Sequence, residues 1–258
     1  TSLLYNGPFL LRGLTAKSSI EFVKNENYWD KDNVHLDTVT LAYYDGSDQE
    51  SLERNFTSGA YSYARLFPTS SNFSKVEETY KDNIYYNPQG PGIAGLGVNI
   101  DRQSYKYTSK TTDEEKTATK KALLNKDFRQ ALNFAFDRKA YSAQLNGEKG
   151  APLAVRNLFV KPEFVSANGK SFGDMVTEKV ATYGDEWKNV NLADGQDGLF
   201  NAEKAKAELA KAKTALEAEG VKFPIHIDIP VDQTSKGYIA RIQSFKQSVE
   251  TTLGTENV

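Results

Sequence analysis

The sequence after residue 200 has the pattern that most constrains the fold. Asn201 precedes a stretch, residues 202–219, in which Ala and Leu form a narrow apolar stripe among Lys and Glu, and Gly220 follows it. Residues 223–231 then alternate strictly, and apolar side chains recur at helical spacing from 239 to 253. A period near 3.6 indicates an amphipathic helix, and alternation indicates a strand. Helix, strand and helix in this order predict an α/β unit.

The N-terminal part of the sequence predicts strands and a short helix. Residues 19–24 and 38–43 each alternate, so each predicts a strand with one buried side. Residues 47–58 contain apolar residues four positions apart and predict a helix. Ser47 or Asp48 would cap that helix, because both side chains accept hydrogen bonds from free N–H groups of a first turn.

Helical and loop-rich stretches alternate through the middle of the chain. Residues 61–112 and 146–200 are rich in Gly, Pro and polar residues, so both predict loops. Residues 113–145 predict a helical block between them. Within this block, Asn125 or Asp127 would cap a helix whose apolar residues share one stripe.

The composition excludes several kinds of chemistry. The 258 residues include no Cys and two His, and 34 acidic residues nearly balance 32 basic ones. Without Cys, a disulfide, a thiolate metal site and a Cys nucleophile are excluded, and the charge provides no basic field for nucleic acid. No apolar run approaches the roughly 20 residues that a membrane-spanning helix needs. The sequence lacks a targeting segment and a starting Met, so we expect a piece of a longer chain.

A glycine-rich segment matches a nucleotide-binding pattern but lacks the helix that follows this pattern in nucleotide-binding proteins. Residues 90–95 fit G-x-G-x-x-G, but the pattern requires a helix to follow, and residues 96–100 look extended. Pro91 also removes an N–H group that a phosphate would use. Two interpretations stay open: a plain loop, and a loop whose bare backbone touches a ligand.

Metal and catalytic motifs are weakly represented. His35 and His226 lie far apart, and neither has a second His at ligand spacing. Residues 194–198 lack the spacing of a calcium loop and favour a turn. We therefore expect no metal and no cofactor. Carboxylate pairs at 77–78 and 114–115 keep a carboxylate-based hydrolase open as an alternative, although no G-x-S-x-G elbow is present.

Four segments in order resemble a known family. They are residues 6–9 with 22–29 (NGPF and FVKNENYW), 58–64 (SGAYSYA), 126–138 (KDFRQALNFAFDR) and 201–209 (NAEKAKAEL). Together they resemble the oligopeptide- and dipeptide-binding proteins of peptide ABC transporters, solute-binding protein family 5. In 58–64 tyrosines replace the usual acidic end of the family's motif.

The resemblance implies an α/β fold of the periplasmic-binding-protein-like type II, with two lobes and a cleft between them. Residues 1–93 would belong to the first lobe, and residues 94–258 would form the crossover and the first part of the second. Residues 99–105 and the long stretch 146–200 look closest to the Ami/Ali type of lipoproteins from Gram-positive bacteria. Members of the family are much longer, so the resemblance implies an internal fragment.

The resemblance implies binding and no catalytic residue. An extended oligopeptide would pair with the protein main chain in the interlobe cleft, and a membrane permease would receive it. The ligand-binding residues would be Gly92, Ile93, Gly95, Leu96, Gly97, Val98 and Asn99. The protein would be an extracytoplasmic lipoprotein anchored to the cell surface, or periplasmic in a double-membrane bacterium, with its lipid anchor outside this sequence. A peptide-sensing or adhesion protein of the same fold is the alternative.

Overall fold

The computed structural model describes residues 3–68, 70–86, 90 and 92–258. The chain divides into two compact units, residues 1–65 and residues 66–258. This division separates compact units only, so the assignment of residues 1–93 and 94–258 to two lobes stays a prediction.

The first unit contains a three-stranded antiparallel sheet in the order β1 (Phe9–Thr15), β2 (Ser19–Lys24) and β3 (Thr38–Ala42). The strands predicted at 19–24 and 38–43 are thereby confirmed. The prediction that each strand buries one side is wrong in part. Leu41 of β3 is 52% exposed, and Phe22 of β2 is only half-buried. Three short strands alone cover little apolar surface.

A buried asparagine links the two ends of the β1–β2 pair. Asn25 is 5% exposed, and its Nδ2 donates a hydrogen bond of 2.9 Å to the carbonyl of Gly7. Its backbone N–H donates to the carbonyl of Pro8 at 2.9 Å. Two of the motif segments, 6–9 and 22–29, therefore meet at this residue.

The helix predicted at 47–58 is confirmed as α1 (Gln49–Thr57). Its cap is Asp48, whose side chain accepts hydrogen bonds from the N–H groups of Glu50 at 3.0 Å and Ser51 at 3.2 Å. These bonds give partners to N–H groups of the first turn, which lack the i−4 carbonyl that a helix interior provides.

The second unit is mostly helical. It contains a two-stranded hairpin and seven α-helices in its described residues: α2 (Phe73–Thr79), α3 (Asp113–Leu124), α4 (Lys126–Ala135), α5 (Arg138–Ala154), β4 (Ser166–Ala167), β5 (Lys170–Ser171), α6 (Phe172–Val180), α7 (Ala202–Ala218) and α8 (Lys236–Leu253). The predicted block 113–145 and the two predicted helices after residue 200 are confirmed. No helix in the described part of the chain is long and apolar enough to cross a membrane.

The core of this unit forms around α4. Phe128 and Phe134 have no exposed surface, and they join Leu216 of α7, Val249 of α8 and Ile225 in one apolar cluster. Burying a side chain of this size contributes about 1.5–3 kcal/mol relative to leaving it exposed. The segment 126–138, one of the family-like motifs, is therefore scaffold of the core.

The predicted strand at 223–231 is wrong. No strand among the described residues pairs with it, and a strand needs a neighbour to receive its hydrogen bonds. Ile225 instead donates its N–H to the carbonyl of Asn257 at 2.9 Å, and the carbonyl of His226 accepts from Thr119 Oγ1 at 2.9 Å. The alternation is seen in burial only in the first half of the segment, where Ile225 is 1% exposed and His226 beside it is exposed, whereas residues 227–229 are all partly buried.

The predicted loop at 146–200 is partly wrong. Helix α5 runs on to Ala154 after a kink at Gly147, whose φ of 68° breaks the helical geometry locally. Helix α6 lies in the same stretch and begins with a capping box, in which Ser171 and Asp174 each accept a hydrogen bond from the backbone N–H of the other. The Ser-x-x-Asp pattern is a signal for the start of a helix. The loop prediction for this stretch gave more weight to its glycines and prolines than to that signal.

Candidate functional site

The candidate site is the segment 92–99, which we call the glycine loop. It contains no helix or strand in its described residues, and each of those residues is exposed. The loop lies in the second compact unit. Pro91, which precedes it, lies outside the described residues.

The backbone of the glycine loop is accessible. A Cβ atom placed on Gly92, Gly95 or Gly97 would meet no other atom within 4 Å. Packing within the chain therefore does not require glycine at these three positions. A glycine with open space at its Cβ position allows another main chain to approach its N–H and C=O groups closely.

The apolar side chains of the glycine loop are exposed to solvent. Ile93 is 42% exposed, Leu96 36% and Val98 46%. Asn99 forms a turn through its Oδ1, which accepts the N–H of Asp101 at 3.1 Å. The seven predicted ligand-binding residues, which are neighbours in the sequence, therefore lie in one exposed segment, and their role in binding stays a prediction.

The first end of the glycine loop contacts a buried arginine. Arg156 follows α5, its side chain is 1% exposed, and its Nη1 lies 3.5 Å from the carbonyl oxygen of Gly92. The Nε atom of the same guanidinium lies 3.5 Å from Asp194 Oδ1. The sequence does not single out Arg156, because it lies 64 residues from its loop partner.

The far end of the glycine loop leads into a second charged cluster, which we call the Asp228 cluster. Asp228 Oδ2 accepts hydrogen bonds from Arg102 Nη1 at 2.5 Å, Thr108 Oγ1 at 2.7 Å and Lys110 Nζ at 2.8 Å. Burial opposes ionisation of Asp228, but these three donors together outweigh it and hold the pKa of this carboxyl well below its ordinary value.

The turn at 194–198, which resembles a calcium loop in composition, is used to cap α5. Asp197 Oδ2 accepts the N–H groups of Arg138 at 2.7 Å and Lys139 at 3.1 Å. Burial raises the pKa of Asp197, while the N–H bonds and the nearby Arg138 guanidinium favour its charged form. Among the residues that the structure describes, no group of three or more His, Asp or Glu is arranged to hold a metal ion.

The carboxylate pairs also have structural contacts. Glu115 Oε2 accepts the N–H groups of Thr111 at 2.9 Å and Thr112 at 3.1 Å, and hydrogen bonds from the backbone of these residues lower its pKa. Glu114 pairs with Lys222 at 2.9 Å, and Glu77 Oε1 accepts the Tyr86 hydroxyl at 3.1 Å. The lowered pKa of Glu115 opposes the protonated form that glycoside hydrolysis requires of its acid.

A groove of about 560 Å³ lies between the first turns of α3 and residues 220–226. Its lining includes Glu115, Thr119, Phe223 and His226, and His226 Nδ1 is 4.0 Å from Glu115 Oε1. The glycine loop does not line it.

The chain matches a family model described as "Bacterial extracellular solute-binding proteins, family 5 Middle" over residues 1–253. It is 82% identical over 258 residues to the oligopeptide-binding protein AmiA of Streptococcus pneumoniae serotype 4, and 63% identical to AliA of the same organism. Both matches cover 100% of this chain and 39% of the relative, so the chain spans about two fifths of their length.

A solved structure titled "Listeria monocytogenes OppA bound to peptide" is similar in fold. The TM-score is 0.56 at 18% sequence identity, and the match covers 99% of this chain and 42% of that one. At this identity the likeness concerns the fold alone. It confirms the predicted fold class, α/β of the periplasmic-binding-protein-like type II.

Proposed function

This chain belongs to family 5 of the bacterial extracellular solute-binding proteins, and we propose that the protein containing it captures extended oligopeptides and delivers them to the membrane permease of an ABC transporter. In this function the chain forms one wall of the binding cleft and catalyses no reaction. AmiA and AliA, its relatives at 82% and 63% identity, are both named oligopeptide-binding proteins.

The observation that supports this function most directly is the accessible backbone of the glycine loop. Transport of peptides with many sequences requires recognition of what peptides share, which is the main chain. Gly95 and Gly97 leave open space beside the backbone, and the exposed Ile93, Leu96 and Val98 offer apolar surface to varied side chains. Gly92 and Asn99 form the two ends of this proposed contact segment.

Hydrolysis is the less favoured function. A carboxylate hydrolase needs a general acid whose pKa is raised, as burial beside apolar groups achieves. The pKa of Glu115 is lowered, and Glu114 is 70% exposed and paired with Lys222. The arrangement of these carboxylates therefore supports helix capping and surface ion pairs rather than acid catalysis.

The proposed lobes and location follow from the same family. Residues 1–93 would contribute to the first lobe, and residues 94–258 would form the crossover and begin the second, so that hinge closure buries the peptide. The family consists of extracellular proteins, which places the chain outside the cytoplasm. A lipid anchor elsewhere in the protein would hold it at the cell surface.

Calorimetry on the full-length protein with a mixture of random peptides tests the proposal. We expect saturable binding, and mass spectrometry of the mixture afterwards should recover every peptide intact. Absence of binding, or appearance of cleavage products, would contradict the proposal. Peptide uptake by a strain lacking the gene separates transport from sensing: we expect uptake to fall, and normal uptake despite tight binding would favour a sensory or adhesive protein.

A further inference from the structure

Arg156 combines deep burial with a contact to the glycine loop. Its side chain is 1% exposed, although arginine is rarely buried without a partner because removing its charge from water is costly. Its guanidinium contacts include, within the described part of the chain, the carbonyl of Gly92 at 3.5 Å from Nη1 and Asp194 Oδ1 at 3.5 Å from Nε. The side chain therefore connects the loop to the turn that contains Asp194.

The turn around Asp194 is itself fixed to the end of α5. Gly195 donates its N–H to the carbonyl of Val155 at 2.8 Å. Asn157 Nδ2 donates to the carbonyls of Ala193 at 3.0 Å and Gln196 at 2.8 Å. The residues on either side of Arg156 thus hold the turn that carries its acidic partner.

Glycine is required at position 195 for this arrangement. Its φ is +76°, and a Cβ there would lie 2.9 Å from the carbonyl oxygen of Pro152. The turn that carries Asp194 is therefore closely packed against the end of α5, beside Arg156.

We infer that Arg156 is a positioning residue for peptide binding, which fixes the path of the glycine loop by holding the carbonyl of Gly92. This inference rests on the proposed function. Arg156 touches the loop backbone from within the unit, so it acts on the ligand through the loop. Because the loop would recognise the peptide main chain, we expect a substitution of Arg156 to weaken the binding of peptides with unrelated sequences by a similar factor.

Two substitutions in the full-length protein separate the contributions of charge and length. Arg156→Met removes the donors and keeps an unbranched side chain, and we expect affinity to fall on the order of tenfold for each of three peptides of unrelated sequence, measured by calorimetry. Arg156→Lys keeps the charge and should restore part of the loss. Asp194→Asn, which weakens the support of the guanidinium without touching the loop, should give an intermediate loss.

Hydrogen exchange of the ligand-free protein provides an independent measurement. Amides of residues 92–99 should exchange faster in Arg156→Met than in the wild type, since the loop would sample more conformations. Arg138→Lys is the control: Arg138 is a partly buried arginine at the start of α5, the helix that Arg156 follows, and its guanidinium lies 3.8 Å from Asp197. It should leave both peptide affinity and loop exchange unchanged.

Three outcomes would overturn the inference. Unchanged affinity and loop exchange in Arg156→Met would show that the contact with Gly92 positions nothing. Loss confined to peptides with one kind of charge would show that Arg156 contacts the ligand directly. Equal effects in Arg138→Lys would show a general loss of packing. If the wild-type protein binds no peptide, the proposed function fails, and loop exchange still decides whether Arg156 positions the loop.

Discussion

Lys110 Nζ lies 2.8 Å from Asp228 Oδ2, and the side chain of Lys110 has no exposed surface. The two residues are 118 positions apart in the sequence. A buried ammonium is stable only beside a compensating charge, so this pair ties the segment after the glycine loop to the segment that follows α7. Arg102 donates to the same oxygen at 2.5 Å and makes Asp228 the common acceptor.

Asp228→Asn should destabilise the full-length protein at pH 7 by about 3 kcal/mol, because it leaves Lys110 buried without its counter-charge. Urea denaturation measures the loss. Asp101→Asn is the control, since Asp101 is 74% exposed in its contact with Lys120 and its removal should cost less than about 1 kcal/mol. Equal losses in the two variants would contradict a special role for the buried pair.

The Asp228 carboxyl should also make stability depend on acid pH. Its pKa in the folded protein is lowered from the ordinary 3.8. A lowered folded pKa contributes stability that is present above the unfolded pKa and is lost as the pH falls through the folded pKa. The free energy of unfolding should therefore drop below about pH 4, and the drop should be smaller in Asp228→Asn. Denaturation curves at several pH values from 7 down to 2 check this, and identical slopes would refute it.

Phe134→Ala should cost about 3–5 kcal/mol, because the side chain is completely buried and its removal leaves a cavity in the core. Its ring also packs at 5.2 Å from the ring of Trp187. Phe159→Ala provides the comparison, since Phe159 is 87% exposed and its loss should change stability by less than about 0.5 kcal/mol. Chemical denaturation of both variants distinguishes core from surface.

Asn125→Ala should destabilise by about 1 kcal/mol, because Asn125 Oδ1 accepts the N–H of Phe128 at 2.9 Å and no other residue of the first turn of α4 replaces it in this role. Asn125→Asp keeps an acceptor at the same place and should cost little. Thermal or urea unfolding measures both, and equal losses would show that the amide serves some other purpose.

Gly95→Val should weaken peptide binding at least about tenfold while leaving stability within about 0.5 kcal/mol of the wild type. A Cβ atom on Gly95 meets nothing within 4 Å among the described residues beyond its chain neighbours, so we expect the added side chain to obstruct mainly a peptide main chain. Gly7→Val is the matched control, because a Cβ on Gly7 also has open space. Full affinity in Gly95→Val would remove the glycine loop from the binding surface.

Helix caps and amphipathic periodicity predicted the helices correctly, because residues close in sequence determine where a helix begins. Asp48, Asn125 and Asn201 each precede an amphipathic stretch, and each caps the helix that follows. The strand expected at 223–231 failed for the opposite reason. Alternation indicates which side chains face the core, but pairing depends on a second strand, which no local pattern supplies.

The glycine loop could be proposed as a site from its glycines and from the family resemblance. The residues that contact it and the segment after it could not be predicted from the sequence. Arg156 reaches Gly92 across 64 residues and Asp228 reaches Arg102 across 126. Arginine and aspartate are ordinary surface residues in a sequence, and only the folded chain brings Arg156 to Gly92 and Asp228 to Arg102. Contacts of this range depend on the fold as a whole.

The contacts at the two ends of the glycine loop bear on the entropy of binding. Arg156 holds the carbonyl of Gly92, and Arg102 ties the chain just beyond Asn99 to Asp228. Ordering one residue of a free chain costs about 1–2 kcal/mol at room temperature. A segment whose two ends are already fixed when the protein folds has fewer conformations left to lose, so in the proposed peptide complex more of the favourable contact energy would be retained as affinity.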